Sequence, residues 1–382
     1  MTKTMDPRSF SRTEDRDPRD VKKRILEEFE KNFPRPAWGS REFQITMQSG
    51  DFTAEIIRRR KSNGSYHIKI EMSENLSQLY STFVRALKQV THPTDNDHRD
   101  LLFVRTQEVN WKIRDEFTSV LQAYFGKDFV TSQHFIPAGR SFFTSLGKTV
   151  TAFDHSESLD PFVRQFGRFY SSIKEFGIRR TGKTNSPLNR FYAQMSEMLG
   201  GRVVLKENAE YVETNDGRQI PFQILSSGQQ ELLPLWLIFA FLLTYEAGRD
   251  EGRIVIAIEE PEAHLFPESQ AKVIEILAGT LSRMSGMADL IITTHSPYVL
   301  AKTNNLIRAA EIGVGATEEL RKKLMAIVPS AAWLPLENVA AYAIESGRTS
   351  NIVVDGYIEA DYIDRISESI SEEFYQLIGL HE

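Results

Sequence analysis

Apolar residues along this chain change their spacing several times, and the changes divide it into elements. Residues 1–20 place almost no apolar side chains among Asp, Arg, Ser and Pro. Such a segment cannot bury enough surface to order itself, so a flexible tail is expected. From Val21 to Phe33 the residues Ile25, Leu26, Phe29 and Phe33 line one face of a short helix that Pro34 ends. β-rich runs follow at Phe43–Gln48, Phe52–Arg59 and Tyr66–Glu71. The turn signals Ser49-Gly50-Asp51 and Ser62-Asn63-Gly64 separate them, which predicts an antiparallel three-stranded meander. Helical spacing returns at about 73–90 and 107–125, and an extended segment follows at His134–Arg140. Two further helices are predicted at about 160–176 and 187–199, with Phe162, Phe166, Phe169, Tyr170 and Phe176 forming an aromatic stripe that fits a core. Tyr211–Thr214 and Gln219–Leu225 form a hairpin across Asn215-Asp216-Gly217. Beyond it, helix (229–247), strand (254–258), helix (267–284), strand (289–294) and helix (about 297–305) alternate as a parallel α/β sheet requires.

Three short motifs sit in that alternating region: Leu225-Ser226-Ser227-Gly228-Gln229-Gln230-Glu231, Ile254 to Pro261 with the adjacent acids Glu259-Glu260, and Ile291-Ile-Thr-Thr-His295-Ser296-Pro297. An apolar run ending in two carboxylates suits a buried strand that presents one acid to Mg²⁺ and the next to an attacking water. Two like charges at a strand end are costly without a cation or hydrogen bonds, which argues against a decorative pair. A second apolar run would place the His295 imidazole beside the same site, and Ser296-Pro297 can start the next helix. Small residues at a helix start leave backbone amides open to an anion. Ser226 as an ordinary N-cap with a following Glu231 accounts for the first motif locally just as well. His264, in the loop Pro261–Pro267 after the acid pair, fits a plain surface turn as well as a loop that communicates with a second protomer.

Composition adds limits more than content. At 382 residues and 41% hydrophobic, the chain can bury one large core or two lobes. The absence of cysteine excludes disulfides and thiolate metal sites and suits a reducing cytoplasm. The longest apolar stretch, Leu232 to Tyr245, contains Pro234 and is too short to span a bilayer, and the start of the chain is no secretory signal, so a cytoplasmic location without membrane is expected. A net charge of -6 argues against a nucleic-acid coat. Basic clusters nonetheless stand at Arg58-Arg59-Arg60-Lys61 and at Arg179, Arg180, Lys183 and Arg190, each a solvated face or a surface for DNA or a partner. The tail from Glu345 onward is acidic and fits a solvated amphipathic helix.

With these motifs the chain resembles the ATP-binding-cassette type of ATPase, in the branch of stand-alone bacterial AAA-family proteins related to the ATPase half of overcoming-lysogenization-defect nucleases. The resemblance covers residue 21 to the end. It implies an α/β P-loop NTPase fold with a mainly parallel sheet, an antiparallel meander and an inserted helical lobe at about 73–200. It also implies a motif core at 220–310, and closing strands and acidic tail at 335–382 with strands at Val339–Ile344 and Asn351–Val354. Ile254 to Glu260 then corresponds to the Walker B pattern, with Glu where many relatives have Asp. The resemblance implies ATP and Mg²⁺ as cofactors, Glu259 acting on the metal through water, Glu260 as the base toward water, and His295 at the γ-phosphate. Ser226, Ser227, Gly228 and Gln229 match the signature motif, which in this family serves nucleotide held by a second protomer, so a homodimer is implied.

The phosphate-binding loop of that family belongs ahead of the meander, and none stands there. By this resemblance it either precedes the chain or has been lost. Gly177-Ile-Arg-Arg-Thr-Gly182-Lys183-Thr184 satisfies G-x-x-x-x-G-K-[ST], yet helical spacing precedes it and Asn185-Ser186-Pro187 breaks the continuation. A connecting loop fits that context better than a nucleotide cradle. The family also implies a dimeric clamp working with a separate nuclease or toxin effector, as in anti-phage defence. Two other functions stay open: a catalytically impaired scaffold binding DNA or a partner protein, and a nuclease using Asp355, Glu359, Asp361 and Asp364.

Overall fold

The computed structural model describes residues 18–91, 118–119, 121–126, 129–146, 159–178, 188–206, 209–245, 253–284, 286–359 and 361–379. Two compact units divide the chain: Met1–Gln133 with Asp250–Arg253, and His134–Arg249 with Ile254–Glu382.

The first unit opens with α1 (Pro18–Asn32) and continues into β1 (Phe43–Ser49), β2 (Phe52–Arg60) and β3 (Tyr66–Met72), an antiparallel sheet in that order. The meander follows from its turns: Gly50 at φ 53° lets Ser49 pair with Phe52, and Gly64 at φ 81° closes the second loop. α2 (Glu74–Thr91) comes next. Of the helix expected at 107–125, residues 107–117 lie outside the described residues, as do residues 1–17 of the expected tail. Arg58 corrects the solvated-face view of its basic cluster. It is 7% exposed and donates to the carbonyls of Trp38, Gly39 and Arg41, with its guanidinium 3.9 Å from the Tyr66 ring centroid.

The second unit is built on a sheet ordered β4-β8-β9, in which β8 (Arg253–Glu259) and β9 (Ala288–Thr293) run parallel. The unit holds β4 (Val130–Ile136) from His134 and β8 from Ile254. Ile254, Ile256 and Ile258 are buried, and the intervening residues are only partly exposed, as in a strand covered on both faces. A second, antiparallel sheet joins β5 (Gly201–Lys206), β6 (Ala209–Thr214) and β7 (Gln219–Pro221), so the expected hairpin has a third strand ahead of it. The short helix α3 (Ser141–Leu146), then α4 (Pro161–Ile178), α5 (Leu188–Leu199) and α6 (Ser227–Tyr245) pack around a common core. Phe166 and Tyr170 of the aromatic stripe are buried in it.

Helix α6 is apolar on all sides and largely enclosed. Pro234 lies inside it, so the Gln230 carbonyl has no amide to accept from. Thr144 Oγ1 of α3 donates to that carbonyl at 2.9 Å instead. α7 (Pro267–Arg283) and α8 (Pro297–Gly313) complete the α/β alternation, and α9 (Glu318–Ile327) follows. The segments expected as closing strands are found as two hairpins. β10 (Tyr342–Glu345) pairs with β11 (Arg348–Asn351), and β12 (Val353–Val354) with β13 (Tyr357–Ile358). Ser346-Gly347 and Asp355-Gly356 all take positive φ, the tight turn that folds each segment straight back on its neighbour. The acidic tail forms α10 (Asp361–Gly379).

Glu275 ties α7 to α8, accepting from Lys272 at 3.0 Å and from Lys302 at 2.7 Å. Burial raises its pKa, but hydrogen bonds from Lys302 and Lys272 outweigh that and hold it below the usual 4.5. A depressed carboxylate stabilises the fold above its unfolded pKa, and that contribution is lost as the pH falls through the folded value. Thermal melts from pH 7 to 3 should therefore show the gap between wild type and Glu275→Gln shrinking below pH 4.5. A constant gap would remove this ion pair from the account.

Candidate active site

Parallel pairing of β8 and β9 sets Glu259 opposite Thr293, and the Glu260 amide continues the ladder to the Thr293 carbonyl at 2.9 Å. The acid pair and the Thr294-His295 corner therefore leave the sheet side by side. His295 Nε2 lies 3.9 Å from Glu260 Oε1, with the imidazole 91% and the Glu260 side chain 42% exposed. Glu259 turns back toward β4, where its Oε2 accepts from the Ala138 amide at 3.2 Å.

The backbone after Glu259 is under strain. Glu260 at φ 42° and His264 at φ 60° both occupy the left-handed region, at a cost on the order of 1–3 kcal/mol each. Two turns, Ala263 N–H to Glu260 carbonyl and Leu265 N–H to Glu262 carbonyl, both 3.0 Å, fix the loop locally. His264 is an exposed turn residue. Glu262 is buried in the same loop and accepts from the Thr294 hydroxyl and, at 3.1 Å, from the His295 amide, while its Oε2 has no hydrogen-bond partner among the described residues. Ser296 caps α8 by accepting from the amides of Tyr298 and Val299, with Pro297 in the first turn.

At the first motif Ser226 caps α6, but its partner is Gln229 and not Glu231. The Ser226 amide donates to Gln229 Oε1 at 3.0 Å and the Gln229 amide donates to Ser226 Oγ at 3.4 Å, a reciprocal capping box. Gln229 Nε2 then reaches the Leu199 carbonyl at the end of α5, at 2.7 Å. Ser226 and Ser227 are exposed. Gly228 is held against the acidic loop, since a Cβ there would lie 3.0 Å from the His264 carbonyl oxygen and 3.2 Å from Leu265 Cδ2. The cap and the loop thus meet through a position where only hydrogen fits comfortably.

Glu231 is engaged elsewhere, by Arg140 at the end of the extended segment His134–Arg140. Arg140 is fully buried, and its guanidinium is satisfied by five carbonyls. Nε donates to Glu231 O at 3.0 Å; Nη1 to Pro137 O at 3.2 Å and Glu259 O at 3.0 Å; Nη2 to Glu260 O at 3.2 Å and Pro261 O at 3.3 Å. The Glu231 carboxylate lies 3.2 Å from Nε and supplies the counter-charge. Burial lowers the Arg140 pKa, and the carboxylates of Glu231, Glu262, Glu260 and Glu259 oppose that shift. Removing one partner of such a buried pair costs about 3–5 kcal/mol.

Glu259 and Glu260 offer oxygen donors of the kind a hard divalent cation such as Mg²⁺ takes, and among the described residues no group of three or more acidic or histidine side chains gathers around one point, so bound phosphate and water would have to complete its shell. The candidate loop Gly182, Lys183 and Thr184 lies outside the described residues, as do Arg179 and Arg180. Gly177, the first residue of that pattern, lies in the last turn of α4, so a helix and not a strand leads into it. Arg190 is exposed on α5.

Residues 18–300 match the family model of the AAA ATPase domain, and the chain belongs to that family. It is a nucleotide-binding ATPase domain of mixed α/β architecture, with a parallel sheet accompanied by antiparallel ones. Among the described residues no helix is long and apolar enough to cross a membrane.

The capping box makes a direct prediction. Ser226→Ala should lower stability by about 1 kcal/mol in chemical denaturation. An unchanged midpoint and slope would show that the Ser226 hydroxyl does not hold the start of α6.

Proposed function

We propose that this chain hydrolyses ATP in the manner of an ATP-binding-cassette ATPase, with Glu260 as the residue that orients and deprotonates the attacking water. The observation that carries this is the corner where Glu260 and His295, from neighbouring parallel strands, face one another across 3.9 Å with both side chains open to a ligand. Glu259 would hold Mg²⁺ through water, and the bound ion would supply charge stabilisation at the transferred phosphoryl group. Glu260, fixed in a strained backbone and hydrogen-bonded to β9, keeps its carboxylate beside that position. His295 would meet the γ-phosphate, its amide pinned by Glu262 so that the imidazole points outward.

The signature residues Ser226, Ser227, Gly228 and Gln229 would act on nucleotide held by a second copy, in a homodimeric clamp. Exposure of Ser226 and Ser227 at the start of a helix supports that role. A separate nuclease or toxin effector, and a place in anti-phage defence, belong to the same proposal through the likeness to nuclease-associated ATPases. DNA contact would fall to Arg179, Arg180, Lys183 and Arg190. The scaffold alternative draws on Gly177, because a helix leads into the one segment that spells a phosphate loop.

Calorimetry and phosphate release on the full chain separate the two readings. The ATPase reading expects Glu260→Gln to bind MgATP as the wild type does while turnover falls by about 10²–10⁴. Turnover unchanged in Glu260→Gln would remove it from the reaction, and a wild-type chain without ATP affinity would favour the scaffold.

A further inference from the structure

We infer that Arg140 is a positioning residue that couples the start of helix α6 to the acid pair, so that the signature turn and Glu260 move as one body. This rests on the ATPase reading only for its effect on turnover; the coupling stands on geometry. All five guanidinium N–H groups are used, and each goes to a backbone carbonyl. Three of those carbonyls belong to consecutive residues, Glu259, Glu260 and Pro261, where the backbone enters its strained turn. A fourth belongs to Glu231, one turn beyond the Ser226 cap, and the fifth to Pro137 beyond β4.

A planar donor set allows little play. Displacement of α6 along its axis would carry the Glu231 carbonyl and carboxylate with it, and the guanidinium must follow or leave a buried charge and buried carbonyls unpaired. Pro234 loosens α6 at the adjacent turn, where the Gln230 carbonyl takes its hydrogen bond from Thr144 of α3. The first turn of the helix is therefore anchored to residues 137–144 and 259–261 through side chains as well as through its own ladder. On the other flank, Gly228 rests against the His264 carbonyl, so the same turn meets the acidic loop twice. Arg140 touches neither the His295 imidazole nor, by any hydrogen bond described above, the acid carboxylates; it acts through the backbone that aims them.

Lysine offers three donors on one point and cannot serve five carbonyls, so Arg140→Lys keeps the charge and breaks the coupling. Glu231→Gln keeps the shape and removes the counter-charge, and serves if the lysine variant does not fold. Hydrogen exchange on the full chain, read without nucleotide, is expected to speed up at the amides of both 226–235 and 260–265 by about tenfold or more. The amides of β5 and β6 should stay at the wild-type rate. In the same proteins, kcat for ATP is expected to fall about ten- to a hundredfold with KM little changed. Wild-type exchange at either segment in the variants, or faster exchange confined to one of them, would overturn the coupling. Faster exchange at both segments in the variants, with a wild-type chain that hydrolyses nothing, would uphold it while removing the ATPase reading.

Discussion

A guanidinium with no exposed surface has to be answered on every side, and in this protein the answer organises the site. Arg140 takes five carbonyls and one carboxylate from segments far apart in sequence, and all of them must be in place together. Its contacts hold the end of β8 open past its last ladder bond, into a loop where Glu260 and His264 adopt backbone that side chains disfavour. They also fix the depth at which α6 meets that loop. Burying an ion is unfavourable by itself, so the arrangement does not earn its place through stability alone. What it provides is a single geometry for the start of α6 and the acid pair.

From that constraint the shape of the site follows in steps. Parallel register of β8 and β9 delivers Glu259 and Thr293 to the same level, and the next residue on each strand leaves the sheet at a common corner. Glu262 ties the outgoing loop back to Thr294 and His295, so the two strand ends are joined by a side chain as well as by the ladder. Ser296 and Pro297 then start α8 directly, which leaves His295 at the mouth and not in the core. The result is a carboxylate and an imidazole facing outward from the ends of two neighbouring strands.

Much of this was legible because it is local. Gly50, Gly64 and Gly217 announce their turns, and the run ending in Glu259-Glu260 announces a buried strand with a charged end. The same locality accounts for the hairpins at the end of the chain, where Ser346-Gly347 and Asp355-Gly356 turn each strand back onto its neighbour. Arg140 was not legible, since its partners lie 91 and about 120 residues away and nothing in the local spacing marks it as buried. Arg58 escaped for the same reason: its partners sit up to 20 residues back, in a segment without periodicity. At the α6 cap Ser226 is the capping residue its position predicts, but its partner is Gln229 and not Glu231. Gln229 occupies the third helical position, within reach of the Ser226 amide, whereas Glu231 points into the core.

The family match makes the chain an AAA-family ATPase domain, and the central claim is that its chemistry is done at the corner between Glu260 and His295. A crystal structure of the full chain with a non-hydrolysable ATP analogue and Mn²⁺ tests this most directly, because the metal can be located by its anomalous signal. The account predicts the metal beside Glu259, with the terminal phosphate between Glu260 and His295. A nucleotide seated at Gly182–Thr184, with the metal remote from Glu259, would contradict it.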